Sequence, residues 1–234
     1  MNNKRDCWLV IPAAGVGSRM EAAQAKQYLP LLGKPMIEHT LAPFLQCGFI
    51  RGVTVAVSEN DDNYQDLTAL QHEKIQLCIG GDTRAESVLA GLRALHSADD
   101  SDWVMVHDAA RPCITASQLA SLYETLAISE HGGFWAIPVA DTLKRLTSTQ
   151  VVTVDRRDIV RAQTPQMFRL GELKNALTHA LASNIEITDE ASAMEVAGID
   201  AIVVAGHGQN IKVTYPEDAE LAEFYLQKIK EQQG

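Results

Sequence analysis

Residues 9–20 read Leu-Val-Ile-Pro-Ala-Ala-Gly-Val-Gly-Ser-Arg-Met. The run at 9–11 is continuously apolar, which is typical of a strand covered on both faces. The small residues at 13–18 leave backbone N–H groups uncovered, and glycine lets a ligand approach closely. Exposed amides that lead into a helix N-terminus suit anionic oxygens. The stretch therefore predicts a phosphate-binding loop after the first strand.

Two familiar glycine-rich motifs do not fit this loop. A Walker A loop requires Lys-Ser or Lys-Thr directly after its last glycine, whereas a serine and Arg19 follow Gly17. A dinucleotide fingerprint requires a third glycine where Met20 stands and an acid closing the second strand, but Glu38 falls in a predicted helix start. Two interpretations remain: a phosphate loop flanked by the cations Arg19 and Lys26, or an ordinary turn with two solvated charges.

The overall composition is that of an ordinary globular protein. The 234 residues are 46% hydrophobic and 21% charged, enough for one large α/β domain with a sizeable core. The net charge of −10 argues against a nucleic-acid or membrane-surface binder, so an anionic ligand must be held by a few focused cations. The first apolar run is too short for a secretion signal or a membrane span. The four cysteines form no C-x-x-C pair, which favours neither zinc nor disulfides and predicts a cytoplasmic protein.

Apolar periodicity alternates between strand and helix along most of the chain. Strands are predicted at 9–11, 53–57, 75–79, 103–106, 135–139, 201–205 and 211–213, and helices at 34–46, 85–95, 119–127, 172–181, from a cap at Thr188 to Gly198, and after residues 214–217. This alternation predicts an α/β fold with three layers, Rossmann-like, around a mostly parallel mixed sheet. No linker marks a boundary, so residues 1–234 are predicted to form a single domain.

Polar residues follow several of these strands at the carboxyl edge, where open α/β sheets bind ligands. Residues 80–82 and Ser87 are placed to contact a base or ribose. Asp108 is a candidate Mg²⁺ ligand, because one carboxylate plus phosphate oxygens and water commonly holds that ion. The alternative is that Asp108 caps a turn, and His107 is interpreted as a packed strand-end residue.

The segment at about 141–162 has a different pattern. Residues 142–147 and 151–156 alternate like half-exposed strands around a short turn at 148–150, which predicts a projecting β-hairpin arm. The interpretations left open are a solvated arm, a dimer contact and a lid over an anionic ligand. Its basic rim consists of Lys144, Arg145, Arg156, Arg157 and Arg161.

A general base is not needed for one reaction that suits these residues. A phosphate monoester has a second pKa of about 6, so it is mostly dianionic at neutral pH and attacks a nucleotide α-phosphorus without proton removal. Such a transfer needs positioning and cations around the charged transition state. The sequence therefore favours nucleotidyl transfer.

Eight blocks of sequence, in order along nearly the whole chain, carry a family resemblance. They lie at 12–20, 26–28, 80–88, 106–112, 141–144, 164–166, 188–190 and 210–214. Together they resemble the 2-C-methyl-D-erythritol 4-phosphate cytidylyltransferase family. The resemblance implies transfer of CMP from CTP to methylerythritol phosphate in the non-mevalonate isoprenoid pathway, with Mg²⁺ and release of pyrophosphate.

The resemblance also implies roles for individual residues. Arg19 and Lys26 would stabilise the transition state, Arg156 and Lys212 would act with them, and Asp108 would bind Mg²⁺. The nucleotide would be bound by Ala13, Ala14, Gly15, Gly17, Gly81, Asp82, Ser87 and Ala109. The methylerythritol phosphate would be bound by Thr142, Arg156, Thr164, Thr188 and Lys212. A homodimer would form through exchanged β-arms, so that Arg156 serves the partner's site.

Two positions depart from the family pattern. Ala25 stands where a proline commonly precedes the loop lysine, which predicts a more mobile Lys26. Gln209 stands where an acid is common, so any metal-binding role of that acid is absent. Neither departure removes a charge that the reaction requires.

Two other functions remain as alternatives. A ribitol 5-phosphate cytidylyltransferase would share the loop, Asp108 and much of the sheet, and would differ around Arg156 and Thr188. A non-catalytic nucleotide-binding module would bind CTP without releasing pyrophosphate.

Overall fold

A computed structural model describes residues 6–15, 25–61 and 63–233. The elements in chain order are β1 (Cys7–Pro12), β2 (Pro30–Leu31), β3 (Lys34–Pro35), α1 (Met36–Leu45), β4 (Ile50–Val57), β5 (Ile75–Ile79), α2 (Arg84–Ala94), β6 (Trp103–Val106), α3 (Ala116–Leu126), β7 (Gly132–Pro138), β8 (Leu143–Leu146), β9 (Val151–Val154), β10 (Val160–Arg169), α4 (Leu170–Ala182), α5 (Glu190–Val196), β11 (Ile202–Ala205) and α6 (Glu217–Gln233). Short 3₁₀ turns cover Lys26–Tyr28, Asn63–Asp66 and Thr68–Gln71.

Within the described residues, seven strands form one sheet in the order β11-β7-β10-β6-β1-β4-β5. Four of its six pairings are parallel, and β10 is antiparallel to both of its neighbours. The predicted mostly parallel mixed sheet is confirmed. From β1 the chain goes to β4 on one side and later to β6 on the other, so the strand order reverses between β1 and β6. Ligands bind open α/β sheets at such a reversal, outside the carboxyl ends of the strands.

Alternating side chains of the central strands separate two apolar cores. In β1, Leu9 and Ile11 join the cluster that contains α1 and α3, whereas Val10 joins the cluster of α2, α4 and α5. Each fully buried side chain of this kind stabilises the fold by roughly 1.5–3 kcal/mol. Helices therefore cover both faces of the sheet, which confirms the three layers and explains the continuous apolar run at 9–11.

Side-chain caps fix where the helices next to the cavity begin. Helix α2 starts with a capping box in which Thr83 and Glu86 each accept the other's backbone N–H. Helix α5 starts with the same arrangement between Asp189 and Ser192. The sequence pattern predicts this cap at Thr188, which is wrong by one residue, because the Asp189 carboxylate accepts the N–H of Ser192.

Strand β10 is absent from the sequence prediction, although it lies in the middle of the sheet. Its residues lack the apolar alternation that identifies a strand, because 163–166 are Gln, Thr, Pro and Gln. All four are buried, and the ladder to β7 shifts register between Ala162 and Gln166. Since Pro165 has no N–H to donate, an irregular ladder suits this position.

The short strand predicted at 211–213 is wrong. These residues lie outside the helices and strands of the structure. The N–H of Val213 donates to the carbonyl of Ala110 at 2.8 Å, and the buried Val213 side chain packs in the cluster that contains α6. The apolar pattern there reflects packing beneath a helix rather than strand pairing.

The predicted hairpin pairs as an antiparallel ladder from Leu143 opposite Val154 to Leu146 opposite Val151. It forms a two-stranded sheet separate from the central one. The Nζ atom of Lys144 donates to the Thr153 hydroxyl at 2.6 Å across the two strands. Leu146 and Val151 are 74% and 66% exposed, so this hairpin leaves apolar surface uncovered.

Among the described residues, no helix is both long and apolar enough to span a membrane.

Candidate active site

A cavity of about 370 Å³ opens at the reversal point of the sheet. It lies where the loops after β1 and β6 meet the start of α2, which follows β5. Among the described residues, its walls are formed by Pro12, Ala13, Ala14, Gly15, Lys26, Gln27, Gly81, Asp82, Thr83, Arg84, Ser87, Asp108, Ala109, Ala110, Lys212 and Thr214. The convergence that the sequence predicts at this edge is therefore present.

The loops after β1 and β5 approach each other very closely. A Cβ atom added at Gly80 would lie 2.6 Å from the Cβ of Ala14 and 2.7 Å from the Oγ of Ser87, so only glycine fits without rearrangement. The Ser87 hydroxyl accepts the N–H of Gly81 at 3.1 Å and lies 3.0 Å from the carbonyl of Thr83. These contacts fix the Gly81–Asp82 corner of the cavity before any ligand binds.

The turn that carries Lys26 is held by its two following residues. The Gln27 amide donates to the carbonyl of Ala13 at 2.8 Å, and the Tyr28 hydroxyl donates to Asp61 at 2.5 Å. Burial and the neighbouring Asp61 carboxylate raise the pKa of Tyr28, so the hydroxyl remains a donor. Lys26 thus lines the cavity on a turn anchored to the end of β1.

Asp108, directly after β6, is a buried carboxylate surrounded by three cations. Its Oδ1 accepts from Nε of Arg84 at 3.1 Å, and its Oδ2 accepts from Nε of Arg111 at 3.3 Å and lies 2.9 Å from Nζ of Lys212. Burial alone would raise the pKa of Asp108, but the three cations outweigh it and hold that pKa far below its usual range. The carboxylate is therefore ionised at any physiological pH.

Glu190, the first residue of α5, completes this cluster. Its two oxygens accept from Nη1 and Nη2 of Arg84 at 2.7 and 3.1 Å. Burial lowers the pKa of Arg84, but Glu190 and Asp108 more than reverse this, so the guanidinium stays charged. The charges of Arg84, Arg111 and Lys212 exceed those of Asp108 and Glu190 by one, which suits an anionic ligand.

Thr164 and His107 form a chain of hydrogen bonds that begins at the backbone of Asp108. The Thr164 hydroxyl accepts the N–H of Asp108 at 3.0 Å and lies 3.0 Å from Nδ1 of His107, while Nε2 of His107 lies 3.0 Å from the carbonyl of Arg111. Burial lowers the pKa of His107 to about 4, so the ring is neutral at physiological pH. A neutral ring that donates from Nε2 and accepts at Nδ1 satisfies all of these contacts.

The segment that carries Lys212 is docked on β10. The Gln163 amide donates to the carbonyl of His207 at 2.9 Å, and the buried Asn210 amide donates to the carbonyl of Thr164 at 2.8 Å. Nη1 of Arg111 donates to the carbonyl of Asn210 at 2.8 Å. Strand β10, which the sequence prediction missed, thus fixes the position of Lys212.

The residues that the sequence singles out fall into four groups. Those that line the cavity are Ala13, Ala14, Gly15, Lys26, Gly81, Asp82, Ser87, Asp108, Ala109 and Lys212. Thr164 is buried beneath Asp108, whereas Thr142, Arg156 and Thr188 are exposed away from these walls. Gly17 and Arg19 lie outside the described residues. The functional roles of all of them stay predictions at this point.

Three charged residues of the cluster received no role from the sequence. Arg84, Arg111 and Glu190 all occur in the sequence blocks that carry the family resemblance. For Arg84 and Arg111, a charge inside such a block shortly after a strand indicates contact with the site, whereas Glu190 begins a helix. Their partners lie up to 106 positions away, so the pairing itself is visible only in the structure.

Asp108 is also the predicted magnesium ligand. In the described ranges, no group of three or more His, Cys, Asp or Glu side chains is arranged to hold a metal ion. Magnesium often takes one carboxylate and completes its shell with phosphate oxygens and water. The donor set therefore fits an ion that arrives on a triphosphate. Such an ion would replace the contact between Lys212 and Asp108, because Lys212 is 39% exposed and has the most exposed side chain of the three cations.

The sheet and the cavity define a nucleotide-binding type of α/β protein, and comparisons specify the family. The family model described as 2-C-methyl-D-erythritol 4-phosphate cytidylyltransferase matches residues 7–228. The enzyme of that name from Vibrio vulnificus is 49% identical over 225 residues, covering 95% of both chains, and one from Pseudomonas putida is 50% identical over 217 residues, covering 91% and 92%. The chain belongs to this family.

Solved structures agree with this assignment. A crystal structure of 2-C-methyl-D-erythritol 4-phosphate cytidylyltransferase from Francisella tularensis has a TM-score of 0.83 at 37% identity and covers 94% of this chain and 99% of that one. A crystal structure of 4-diphosphocytidyl-2C-methyl-D-erythritol synthase has a TM-score of 0.81 at 38% identity, covering 95% and 98%.

Proposed function

We propose that this chain transfers the cytidylyl group of CTP to 2-C-methyl-D-erythritol 4-phosphate and releases pyrophosphate. The observation that carries the proposal is the cation cluster around Asp108, which lies in the cavity of a chain that matches this family over residues 7–228. The cluster supplies fixed positive charge where a triphosphate and a second phosphate have to meet.

The reaction exchanges one phosphoanhydride bond for another. An oxygen of the acceptor phosphate attacks the α-phosphorus of CTP, and the bond from that phosphorus to the bridging oxygen breaks, so pyrophosphate leaves with its electron pair. The acceptor phosphate is already mostly dianionic, since its second pKa is about 6, and no proton has to be removed. The protein contributes orientation and electrostatic stabilisation.

The nucleotide would occupy the half of the cavity between the loops after β1 and β5. Ala13, Ala14 and Gly15 leave room next to the phosphates, and a Cβ added at Gly15 would meet no atom of the described residues within 4 Å. The fixed corner of Gly81, Asp82 and Ser87 would bind the cytidine together with Ala109, and Gly17 would complete the triphosphate loop. This corner is preorganised, because Ser87 already holds Gly81.

Cations would surround the reacting phosphorus. Lys26 lines the cavity and, together with Arg19, would stabilise the transition state. Lys212 would orient the acceptor phosphate by exchanging its contact with Asp108 for one with the ligand. Thr142, Thr164, Thr188 and Arg156 would complete the acceptor site.

Magnesium is part of this proposal through Asp108. The ion would be held by that carboxylate together with the phosphates, and when bound it neutralises phosphate charge and favours departure of pyrophosphate.

A homodimer would form through exchanged hairpin arms, with Arg156 serving the partner's site. The exposed apolar side chains of β8 and β9 support this, because an isolated two-stranded hairpin has no core of its own and is at best marginally stable in water. In this structure Arg156 is exposed and donates to the carbonyl of Ala140.

Pyrophosphate release tests the proposed activity. The purified protein would be incubated with CTP and Mg²⁺ and, in separate reactions, with methylerythritol 4-phosphate, ribitol 5-phosphate or no acceptor. We expect release that depends on methylerythritol phosphate. Faster turnover of ribitol phosphate would overturn the choice of acceptor, and CTP binding without any release would identify a non-catalytic nucleotide-binding module.

A further inference from the structure

Glu190 is a deeply buried carboxylate that has no part in the proposed chemistry. It is 1% exposed at the first position of α5. Carboxylates are rarely buried so fully without a cationic partner. Here the partner is Arg84, whose two terminal nitrogens donate to the two carboxylate oxygens at 2.7 and 3.1 Å.

Arg84 also contacts a second carboxylate. Its Nε donates to Oδ1 of Asp108 at 3.1 Å, and its Nη2 lies 3.1 Å from the same oxygen. The guanidinium is planar and its donors are fixed relative to one another. When Glu190 holds the two terminal nitrogens, the direction of Nε, and with it the contact to Asp108, is therefore set.

Neither helix needs this ion pair in order to begin where it does. Helix α5 has the capping box of Asp189, and the Gln166 side chain binds it twice, donating to Asp189 at 2.9 Å and accepting from the N–H of Ala191 at 2.7 Å. Helix α2 has its own capping box at Thr83. The Glu190–Arg84 pair instead fixes the start of one helix relative to the start of the other.

Stability alone does not account for such a pair. Glu190 and the partly buried Arg84 both lose hydration, and replacing a buried ion pair by apolar residues is often neutral or stabilising. An apolar pair would lack the Arg84 Nε that Glu190 directs at Asp108. It would also lack the ion pair that links the Gly81–Asp82 corner to the start of α5 after Thr188.

We propose that Glu190 is a positioning residue that acts through Arg84: it aims the guanidinium at Asp108 and ties the acceptor-binding start of α5 to the nucleotide-binding start of α2. The inference rests on the proposed function, because it takes Thr188, just before α5, to bind the acceptor. Glu190 would contact neither substrate but would set the relative position of the two binding sites.

The first variant is Glu190→Gln, which keeps the shape of the side chain and removes its charge. The Gly81 corner retains its bonds to Ser87, so the KM for CTP should stay within about twofold, a change too small to reflect lost contacts. The kcat/KM for methylerythritol phosphate should fall about 10- to 100-fold, the scale of a small misplacement of reacting groups. The control is Glu172→Gln, which removes a carboxylate that contacts His131 outside the cavity and should leave both parameters unchanged.

The second variant pair is Arg84→Gln and the double variant Arg84→Gln/Glu190→Gln. If Glu190 acts only through Arg84, the double variant should be no less active towards the acceptor than Arg84→Gln alone. The double variant also leaves no buried charge unpaired, so it remains informative if Glu190→Gln does not fold.

Three results would overturn the inference. They are a wild-type acceptor kcat/KM in folded Glu190→Gln, an equal rise in the KM of both substrates, and additive losses in the double variant. These are distinct from failure of the proposed function, in which the wild-type protein itself releases no pyrophosphate with methylerythritol phosphate; that result would overturn both.

Discussion

The cation cluster in the cavity and the β8–β9 hairpin carry charges of the same kind in opposite surroundings. Asp108 is 7% exposed and is held by three cations from three separate parts of the chain. In the hairpin, Arg157 pairs with Asp155 two positions away, and both are exposed. Exposed pairs of this kind contribute about 0–1 kcal/mol, whereas breaking a buried pair costs about 3–5 kcal/mol.

The difference separates contacts that one chain makes by itself from contacts that would need a second chain. Asp108 has all three of its cationic partners within the described residues of one chain, because remote segments meet there. The hairpin that precedes Arg156 is a separate two-stranded sheet, and its strands pair only with each other among the described residues. Substitutions in the cluster should therefore alter stability and chemistry together, whereas substitutions in the hairpin should alter chemistry alone.

The largest effect is expected from Asp108→Asn. Removal of this charge leaves Arg84, Arg111 and Lys212 close together without their common partner, so the free energy of unfolding should fall by about 3–5 kcal/mol. Urea denaturation at neutral pH measures this loss of unfolding free energy. Asp6→Asn is the matched control, because it breaks an exposed ion pair with Arg51 and should cost less than about 1 kcal/mol. Equal losses in the two variants would contradict the central role of Asp108.

Lys26→Ala should have nearly as large an effect, but on the rate. Loss of an ammonium that acts on the transition state should cost about 3–4 kcal/mol, or roughly 10²- to 10³-fold in kcat, with little change in unfolding free energy. Steady-state pyrophosphate release measures kcat. The control is Lys34→Ala, which changes an exposed lysine on β3. A kcat within about threefold of wild type would exclude this role for Lys26.

The buried His107 should make stability depend on pH. The unfolded chain binds the proton at a pKa near 6.5 but the folded protein only near 4, so between these values the unfolded state holds more protons. Stability should therefore fall as the pH drops through this window, by up to about 3 kcal/mol from this residue. Urea denaturation from pH 7 to 4, with a chelator present, should show a shallower dependence in His107→Asn than in wild type. Identical slopes would show that His107 is not buried as a neutral ring.

The smallest signal tests the hairpin. Lys26→Ala and Arg156→Ala should each be inactive, but mixed subunits should regain activity if the arm of one protomer serves the site of the other. With random exchange in a two-fold dimer, roughly a quarter of wild-type activity should return. Exchange would be verified with differently tagged subunits. No recovery in exchanged mixtures would place Arg156 in its own subunit's site or in none.

Much of the fold follows from local patterns. The strand at 103–106 and the strand at 75–79 are predicted with their observed bounds, because mainly apolar runs of four or five residues between polar turns are too short for typical helices. The bounds of α2 differ by one residue at each end. Strand β10 is missed, because its buried glutamines are satisfied by partners far away in the sequence rather than by a repeating pattern.

The sequence by itself determines the edge at which the site forms. Parallel strands have their carboxyl ends on one side, so the loop after β1, residues 80–82 and Asp108 have to converge whatever the details of packing are. Only the tertiary structure decides how those residues are charged and held. Thr164 reaches Asp108 across 56 positions, and Glu190 reaches Arg84 across 106. Buried polar groups are nearly always hydrogen-bonded, but no local pattern in the sequence identifies the partner. The partner is therefore determined only by the folded chain.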